Sequence, residues 1–472
     1  MTKTKIICTI GPACDNKETL SQLVLNGLSI ARINLSHNTG DTAKVMIDLI
    51  KEVREELGEP VAILLDTRGP EIRTKDFVNG SVELQSGQMI TVSNGDFEGT
   101  EHAFCVNYPE LYKDVKVGSS ILVDDGLIEM EVVAIEGTDI QCLVKNGGTV
   151  KNKKGVNVPN ISLQLPILSE QDRENMKFAV EQDVDFIAAS FIRNAQDVLE
   201  IRALLDQHGG QGIKIISKIE NQEGLDNIDA IIEASDAIMV ARGDLGVEIP
   251  PERIPVAQKT IIEKCNKAAT PVITATQMLE SMIKNPRPTR AEVSDVANAV
   301  LDGTDAIMLS GETAAGAYPV NAVSIMRKIA ASAEETIDYE LVFQKIVSMR
   351  EKSVTNAVSY ATCSTAMYLG AKAIISPTVS GRTALMLSMF RPKVPVFATT
   401  TNAQTQRQMQ LYWGVKPILM MKESSSDILF YKSVEVAKKM GYLKSQDLVV
   451  ITAGVPLGVT GKTNLMKVQE VD

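Results

Sequence analysis

The sequence predicts an α/β protein in three parts, because the pattern of strands and helices changes twice along the chain. Apolar strand segments alternate with amphipathic helices over residues 1–70, and the same alternation resumes over residues 164–340. Between them, residues 71–163 contain short strands separated by Gly, Asp and Asn turns, a pattern typical of an all-β domain. A further alternating run over residues 341–472 predicts a separate C-terminal α/β domain.

The two alternating segments on either side of the insertion together contain eight predicted strands. These strands cover residues 5–10, 28–33, 61–66, 184–189, 213–220, 236–241, 271–275 and 306–309. Each is followed by a helical segment, and a helix crossing back over the sheet makes successive strands parallel. Eight such units predict a closed (β/α)8 TIM barrel, whose catalytic residues lie at the C-terminal ends of the strands. The inserted β segment is then expected to act as a lid.

Composition and charge exclude several classes of partner. With 44% hydrophobic and 23% charged residues the chain is typical of globular proteins, and its net charge of −11 argues against nucleic acid or an anionic membrane. The six cysteines are scattered without a CxxC pair, which indicates reduced thiols. No secretory leader and no apolar run of membrane-spanning length is present. We therefore expect a cytoplasmic location.

Charged residues follow two neighbouring strands of the predicted barrel. Lys218 and Glu220 share one face of a strand because side chains alternate, and the next strand leads into Arg242-Gly243-Asp244. One ammonium and two carboxylates beside a glycine are suited to a cation clamp and a divalent-metal site. A surface ion-pair cluster is the alternative on residue types alone. Further polar residues follow other barrel strands and favour an active site over separate helix caps: Arg32, Asn34, Ser36, Asp66, Thr67 and Thr276.

Two other segments carry chemistry of a less specific kind. In the C-terminal part, residues 376–382 join a strand to a helix N-terminus, where N–H groups, Arg382 and hydroxyls suit a phosphate. Plain capping of that helix by Ser380 explains the same residues equally well. The basic run 151–157, at the end of the insertion, is either a solvated face or a lid contact.

Many segments of the chain, in a fixed order, resemble those of the pyruvate kinase family. They are MTKTKIICTIGP, ARINLSH, LLDTRGPEIRT, KKGVNVP, AASFIR, ISKIENQEG, MVARGDLGVEIP and ATQMLESMIKNPRPTRAEVSDVANAVLDGTDAIMLSGETAAGAYP. Each motif is weak by itself, but their order around a β insertion is very specific. The resemblance covers residues 1–335 closely and continues more loosely to the end. It looks like the bacterial form, without an extra C-terminal domain.

The resemblance implies phosphoryl transfer from phosphoenolpyruvate to ADP, giving pyruvate and ATP in glycolysis. It implies Mg²⁺ (or Mn²⁺) held by Glu220 and Asp244, with Lys218 stabilising the transferring phosphoryl group. It further implies K⁺ bound by Asn34, Ser36, Asp66 and Thr67. Glu71 matches the version of the motif associated with K⁺ dependence, since a lysine there would supply its own cation.

The resemblance also implies roles for residues around these cations. Arg73 and Thr276 join Lys218 as catalytic residues, and the implied substrate residues are Arg32, Lys218, Gly243, Asp244 and Thr276. The nucleotide residues are Asn34, His37, Arg73 and Lys154, and for His37 a structural role is as plausible. A sugar phosphate or nucleotide effector would bind Thr378, Ser380, Gly381, Arg382 and Thr383. A homotetramer is implied as well.

Three positions depart from the family pattern, and two other functions share part of the chemistry of this site. Asn38 and Asn160 stand where the family often has glycine, and Ala315 where lysine is common. None of these departures removes a charge assigned to catalysis, so they concern loop shape more than activity. A metal-dependent aldolase or lyase acting on pyruvate would share Glu220 and Asp244 but would not need the K⁺ residues. A catalytically inactive metabolite sensor is a third reading, against which the intact charged residues argue.

Overall fold

The first segment of the barrel forms from three strands and two helices. The computed structural model describes residues 2–36, 38–456 and 462–472. Its first elements are β1 (Lys5–Thr9), α1 (Lys17–Asn26), β2 (Leu28–Asn34), α2 (Gly40–Leu57) and β3 (Ala62–Asp66). The side chain of Asn16 accepts the Thr19 N–H and caps α1. Gly27, at φ 121°, ends that helix in a conformation that glycine adopts without steric cost.

The inserted segment folds as a β domain with its own core. Its elements are β4 (Ile72–Arg73), β5 (Ser81–Leu84), β6 (Met89–Ser93), β7 (Ala103–Cys105), α3 (Leu111–Asp114), β8 (Ser120–Val123), β9 (Ile128–Glu136), β10 (Asp139–Val144), β11 (Gly148–Lys151) and β12 (Gly155–Asn157). Seven strands form one sheet in the order β4-β12-β8-β9-β10-β6-β7, and β11 pairs with β5. Phe104, Met130 and their apolar neighbours are buried within it.

The chain then returns to the barrel and completes it. The elements are α4 (Glu170–Glu181), β13 (Phe186–Ala189), α5 (Ala195–Gln207), β14 (Lys214–Ile219), α6 (Gln222–Asp226), α7 (Ile228–Ala234), β15 (Ala237–Ala241), α8 (Arg242–Glu248), α9 (Ile254–Ala268), β16 (Val272–Ala275), α10 (Arg290–Asp302), β17 (Ala306–Leu309), α11 (Gly311–Ala314) and α12 (Pro319–Glu335). Eight parallel strands close in the order β1-β17-β16-β15-β14-β13-β3-β2. The predicted (β/α)8 barrel is confirmed.

The helical segment that follows β14 is interrupted at one residue. The segment forms two helices, α6 and α7, that meet at Asn227. Asn227 has φ −97° and ψ 12°, and its side-chain amide donates to the carbonyl of Arg193 at 2.9 Å. Apolar periodicity does not reveal this interruption, because it involves a contact with Arg193 outside the segment.

Strand alternation sets which side chains lie inside the barrel. Ile30, Leu64 and Ile216 belong to the interior cluster, whereas their neighbours in sequence, such as Ile63 and Ile215, pack against the helices. Moving two residues along each strand from the interior position reaches Arg32, Asp66 and Lys218. The alternation that builds the core therefore also directs these three side chains into the barrel mouth.

The C-terminal domain is a five-stranded α/β layer. Its elements are α13 (Tyr339–Met349), α14 (Val354–Tyr368), β18 (Ala373–Pro377), α15 (Arg382–Ser388), β19 (Val396–Thr400), α16 (Ala403–Gln408), β20 (Val415–Leu419), α17 (Ser426–Lys439), β21 (Leu448–Ala453) and β22 (Leu465–Glu470). The strand order is β20-β19-β18-β21-β22, with β22 antiparallel to β21. Helix α13 is an addition to the predicted elements. Among the described residues, no helix is both long and apolar enough to cross a membrane.

Buried ion pairs join the C-terminal domain to the N-terminal ends of the barrel strands. Asp185 precedes β13, and its carboxylate accepts the guanidinium of Arg407 at 2.7 Å and the Ile63 N–H at 2.9 Å. Asp305 precedes β17 and pairs in the same way with Arg391 at 2.7 Å. Trp413 is buried at this junction, with the Arg391 guanidinium 5.0 Å from the centre of its ring.

Breaking the Arg407–Asp185 pair should destabilise the protein strongly. Burial raises the pKa of Asp185 to about 6 even with Arg407 against it, so the carboxylate is poorly solvated. Removing one partner of such a pair leaves a buried charge and costs about 3–5 kcal/mol. We expect Arg407→Met to lower the thermal midpoint measured by calorimetry.

The matched control is Lys44→Met, which breaks the exposed Lys44–Asp48 pair on α2. Exposed pairs contribute little because water screens them, so this variant should melt close to wild type. Equal midpoints for the two variants would show that the interdomain pair does not hold the domains together.

Candidate active site

The centre of the site is the ammonium of Lys218, which is buried at the C-terminal end of β14. Its Nζ lies 2.9 Å from Glu220, 3.1 Å from Asp66 and 2.7 Å from the hydroxyl of Ser190. Burial by itself would lower the pKa of this ammonium, but the carboxylates of Asp66, Glu220 and Asp244 outweigh burial and raise it. Lys218 is therefore a fixed positive charge at neutral pH.

Glu220 is a buried carboxylate, and only one of its two oxygens accepts a hydrogen bond from the described residues. Oε2 accepts the N–H of Phe191 at 2.7 Å. Oε1 faces Lys218 in an ion pair whose geometry leaves this oxygen without a hydrogen bond. Burial raises the pKa of Glu220 to about 8, with Lys218 acting against the shift and Asp244 adding to it. A further cation beside Glu220 would compensate this buried charge.

Asp66 links Lys218 to the residues at the end of β2. Its second oxygen accepts the Nε of Arg32 at 2.7 Å, and burial is outweighed by Lys218 and Arg32, which hold the pKa of this carboxyl low. Asn34 lies opposite Asp66 in the register of the β2–β3 pair, so the two residues lie at the same end of the barrel. Asn34 Oδ1 also accepts the N–H of Ser36 at 3.0 Å.

Thr276 and Gly243 meet at the ends of β15 and β16. The N–H of Gly243 donates to the hydroxyl oxygen of Thr276 at 2.7 Å. Thr276 has φ 67°, which is unfavourable for a β-branched residue. Arg242 maintains this conformation, because its guanidinium donates to the Thr276 carbonyl at 2.7 Å and to Asp295 at 2.7 Å. Such strain persists only where surrounding contacts hold it.

A cleft of about 730 Å³ lies between the barrel and the inserted domain. Arg73, Lys154 and Asp244 line it. Arg73 is held by Glu71 at 2.7 Å and by the carbonyl of Lys153 at 2.9 Å. Burial, with help from the facing carboxylates, raises the pKa of Asp125 on the lid side. The cleft thus holds cationic groups suited to phosphates and acidic groups suited to a divalent ion.

The residues present fit a divalent metal ion with few protein ligands. Among the described residues, no group of three or more His, Cys, Asp or Glu has metal-binding geometry. Two carboxylates completed by water and substrate oxygens are a common arrangement for Mg²⁺, and Glu220 offers an oxygen without a hydrogen-bond donor. The oxygens of Asn34, Ser36, Asp66 and Thr67 likewise suit a hard monovalent cation.

The structure brings most predicted site residues together but not all of them. Arg32, Asp66, Lys218 and Glu220 form one connected cluster, while Arg73 and Lys154 lie across the cleft on the lid side. The nucleotide prediction for His37 lies outside the described residues.

The predicted effector residues lie in the C-terminal domain, where most of them line one cavity. Thr378, Ser380, Arg382 and Thr383 line a cavity of about 260 Å³ that also includes Lys422 and Lys462. Gly381, at φ 78°, and not Ser380 occupies the N-cap of α15, and within the described part of the chain no side chain caps this helix. The alternative of plain capping by Ser380 is therefore wrong.

Sequence reasoning missed three residues that shape the site. Ser190 contacts Lys218, Phe191 donates its N–H to Glu220, and Arg242 holds Thr276. Ser190 and Phe191 follow β13 and Arg242 follows β15, so their position at strand ends was the available signal. Residue type alone gave no reason to prefer them over caps or ion pairs.

Comparisons with known proteins agree with this geometry. The fold and site define a barrel enzyme with an inserted β domain and a C-terminal α/β domain. The family models described as "Pyruvate kinase, barrel domain" and "Pyruvate kinase, alpha/beta domain" match residues 1–323 and 356–469. The chain therefore belongs to the pyruvate kinase family and is a phosphotransferase.

Individual relatives cover the full length of the chain. A pyruvate kinase of Sporosarcina psychrophila is 52% identical over 100% of this chain and 81% of its own length. One of Clostridium acetobutylicum is 50% identical over 100% of both chains. The crystal structure of a pyruvate kinase from Cryptosporidium parvum has a TM-score of 0.95 at 41% identity, covering 100% of this chain and 96% of its own.

Adding a methyl group at Gly69 should disturb the site through Ser190. A Cβ at Gly69 would lie 2.9 Å from Ser190 Cβ and 3.0 Å from the Ser190 carbonyl oxygen. Gly69 also has φ 71°, where an alanine costs about 1–2 kcal/mol. We expect Gly69→Ala to lower both the thermal midpoint and the turnover rate.

The control is Gly58→Ala, which introduces the backbone strain of a positive φ without a steric clash. Gly58 has φ 64° but no atom within 4 Å of its built Cβ, so this variant should show the backbone strain alone. If both variants lose the same stability and keep the same turnover rate, the close approach of Gly69 to Ser190 has no functional consequence.

Proposed function

We propose that this protein transfers the phosphoryl group of phosphoenolpyruvate to ADP, producing pyruvate and ATP in cytoplasmic glycolysis. The observation that carries the proposal is the fixed ammonium of Lys218 beside a cleft lined by Arg73, Lys154 and Asp244. A lactate dehydrogenase-coupled assay with and without ADP tests it. Pyruvate formation that does not need ADP would instead indicate a metal-dependent lyase or aldolase, and no turnover at all would indicate a sensor.

The chemistry asks for alignment and charge compensation more than for a nucleophile. Charge develops on the equatorial oxygens of the transferring phosphoryl group, and a preorganised ammonium in a water-poor site stabilises it. We assign this role to Lys218. Arg73 would orient the same phosphoryl group and the nucleotide from the lid side. Closure of residues 71–163 over the barrel would exclude water during transfer.

Glu220 and Asp244 would hold the divalent ion, Mg²⁺ or Mn²⁺. Glu220 offers an oxygen without a hydrogen-bond donor, and Asp244 lies close enough to raise the pKa of Glu220. When bound, such an ion acts as a Lewis acid on phosphoryl and carbonyl oxygens. Calorimetric titration with Mn²⁺ tests the assignment, and unchanged Mn²⁺ affinity in Glu220→Gln would remove Glu220 from it.

Arg32, Gly243 and Thr276 would complete the phosphoenolpyruvate pocket. Thr276 accepts the Gly243 N–H, so its hydroxyl lies where α8 begins. We also assign Thr276 to protonation of the enolate, acting through water. Wild-type rates of proton exchange on pyruvate in Thr276→Ala would exclude it from that step.

The nucleotide would be bound by Arg73 and Lys154 from the lid and by Asn34 and His37 from the barrel. Lys154 is paired with Asp124 at 2.8 Å at the cleft wall. A Lys pairs with a phosphate as a point charge and can exchange one anionic partner for another. An unchanged KM for ADP in Lys154→Ala would contradict this role.

The C-terminal cavity would bind a sugar phosphate or nucleotide effector. Its support is Arg382, Lys422 and Lys462 around the hydroxyls of Thr378 and Ser380, which together suit a phosphate. Titrating activity against fructose 1,6-bisphosphate, AMP and ribose 5-phosphate identifies the effector. No response to any of them would count against this site.

We further propose a homotetramer, as the family implies. The free edge of β22 exposes Met466 and Val468, and Tyr360 and Tyr368 on α14 are also exposed. An unpaired strand edge with apolar side chains is suited to pairing with another chain. Sedimentation velocity at the mass of one chain would contradict it.

Replacing Lys218 by alanine should lower kcat by roughly 10²–10³-fold, about 3–4 kcal/mol, the scale for removing one preorganised charge. KM for phosphoenolpyruvate should change much less, because the interaction strengthens in the transition state. Steady-state kinetics measure both quantities. Lys214→Ala, on the same strand and paired with Asp236 at 2.9 Å, is the control and should keep kcat. Near-normal kcat in Lys218→Ala would remove Lys218 from its role.

Turnover should depend on K⁺. Glu71 is a carboxylate paired with Arg73, whereas a lysine at this position would supply a cation of its own. The proposed site at Asn34, Ser36, Asp66 and Thr67 would therefore take its monovalent cation from solution. We expect activity to fall steeply when KCl is replaced by tetramethylammonium chloride at constant ionic strength. Glu71→Lys should reduce this dependence. Undiminished turnover of the wild-type protein without K⁺ would show the prediction to be wrong.

A further inference from the structure

We propose that Ser190 is a positioning residue that couples the K⁺-binding residues to Lys218. The inference rests on the function proposed above and adds a side chain to which neither the sequence motifs nor the residue roles above assign a part. Ser190 is buried at the end of β13, between β3, which Thr67 follows, and β14, which carries Lys218. It contacts both of them.

The direction of each hydrogen bond at Ser190 follows from the number of protons available. Lys218 Nζ has only donors, so at 2.7 Å it donates to Ser190 Oγ. The single hydroxyl proton of Ser190 is then directed at the carbonyl of Thr67, also 2.7 Å away, while Asp66 Oδ1 is more distant at 3.4 Å. One hydroxyl therefore joins the ammonium to the backbone of a proposed K⁺ ligand.

The ammonium of Lys218 lies between one hydroxyl and two carboxylates. Its Nζ donates to Ser190 at 2.7 Å and forms ion pairs with Asp66 at 3.1 Å and Glu220 at 2.9 Å. Both carboxylates attract the ammonium, and the serine supplies the only neutral contact among these three. Without the hydroxyl, the ammonium would move toward the carboxylates. It would then lie farther from the transferring phosphoryl group that it stabilises.

Ser190 is itself held firmly enough to act as a fixed reference. Its N–H donates to Thr67 Oγ1 at 3.3 Å, and the next residue, Phe191, has φ 57° and donates its N–H to Glu220. Gly69 packs so closely on Ser190 that no side chain fits between them. The turn after β13 thus fixes Lys218 through a hydroxyl and Glu220 through a backbone N–H.

Coupling must then act in both directions. A cation bound at Asp66 and Thr67 orders the Thr67 carbonyl, and this carbonyl orients the hydroxyl that receives Lys218. By thermodynamic linkage, loss of the hydroxyl weakens cation binding as well as the catalytic position of the ammonium. If Ser190 served only to fill space, its replacement would not change K⁺ binding and kcat together.

The test compares Ser190→Ala with Ser217→Ala. Ser217 is buried on β14 next to Lys218, but its hydroxyl pairs with Ser235 on the helix side, so its removal is a matched control. We expect Ser190→Ala to lower kcat roughly 10-fold or more, the scale for a hydrogen bond to a charged group, with KM for phosphoenolpyruvate nearly unchanged. Ser217→Ala should keep wild-type kcat.

Cation binding is measured without turnover, from the rise in thermal midpoint with KCl at constant ionic strength set by tetramethylammonium chloride. We expect Ser190→Ala to need several-fold more K⁺ than wild type for the same rise and for half-maximal activity, and Ser217→Ala to match wild type. If Ser190→Ala does not fold, Ser190→Cys keeps the side-chain size with a weak hydrogen-bonding group and should show the same shifts.

The outcomes separate this inference from the proposed function. Wild-type K⁺ dependence and kcat in Ser190→Ala or Ser190→Cys, with normal wild-type enzyme, overturn the role of Ser190 alone. Lowered kcat with an unchanged K⁺ response in both measurements also overturns the coupling. A wild-type protein without ADP-dependent pyruvate formation refutes the proposed function, whatever the serine variants do.

Discussion

A buried ammonium surrounded by carboxylates is the constraint on which the site depends. Lys218 keeps its charge because Asp66 and Glu220 face it, and they in turn need Arg32 and a further cation to remain ionised in a buried position. No member of this set could be buried alone at an acceptable free-energy cost. The barrel brings the ends of strands that are distant in sequence together at one end. The charges therefore compensate one another only in the closed fold.

The sequence was sufficient for the barrel and for the central charged residues, for a physical reason. Strict alternation in short parallel strands fixes which side chains point inward, and this parity already places Lys218 and Glu220 on one face. The break at Asn227 and the contacts of Ser190 were not predictable in this way. Both depend on a partner from another strand or loop, and a single-chain pattern carries no information about such a partner.

Residue type alone also did not predict which residue caps α15. Gly381 and Ser380 both suit a helix start, and only the backbone conformation shows that the glycine occupies the cap. This leaves the hydroxyls of the loop available to line the C-terminal cavity.

The interdomain arginines have a consequence for the independence of the barrel. Arg407 and Gln408 both contact Asp185 at the start of β13, the strand whose far end carries Ser190. A barrel expressed by itself would expose Asp185 and Asp305 without their guanidinium partners. An exchange of C-terminal domains between relatives should therefore preserve stability best when the incoming domain presents arginines at these two positions.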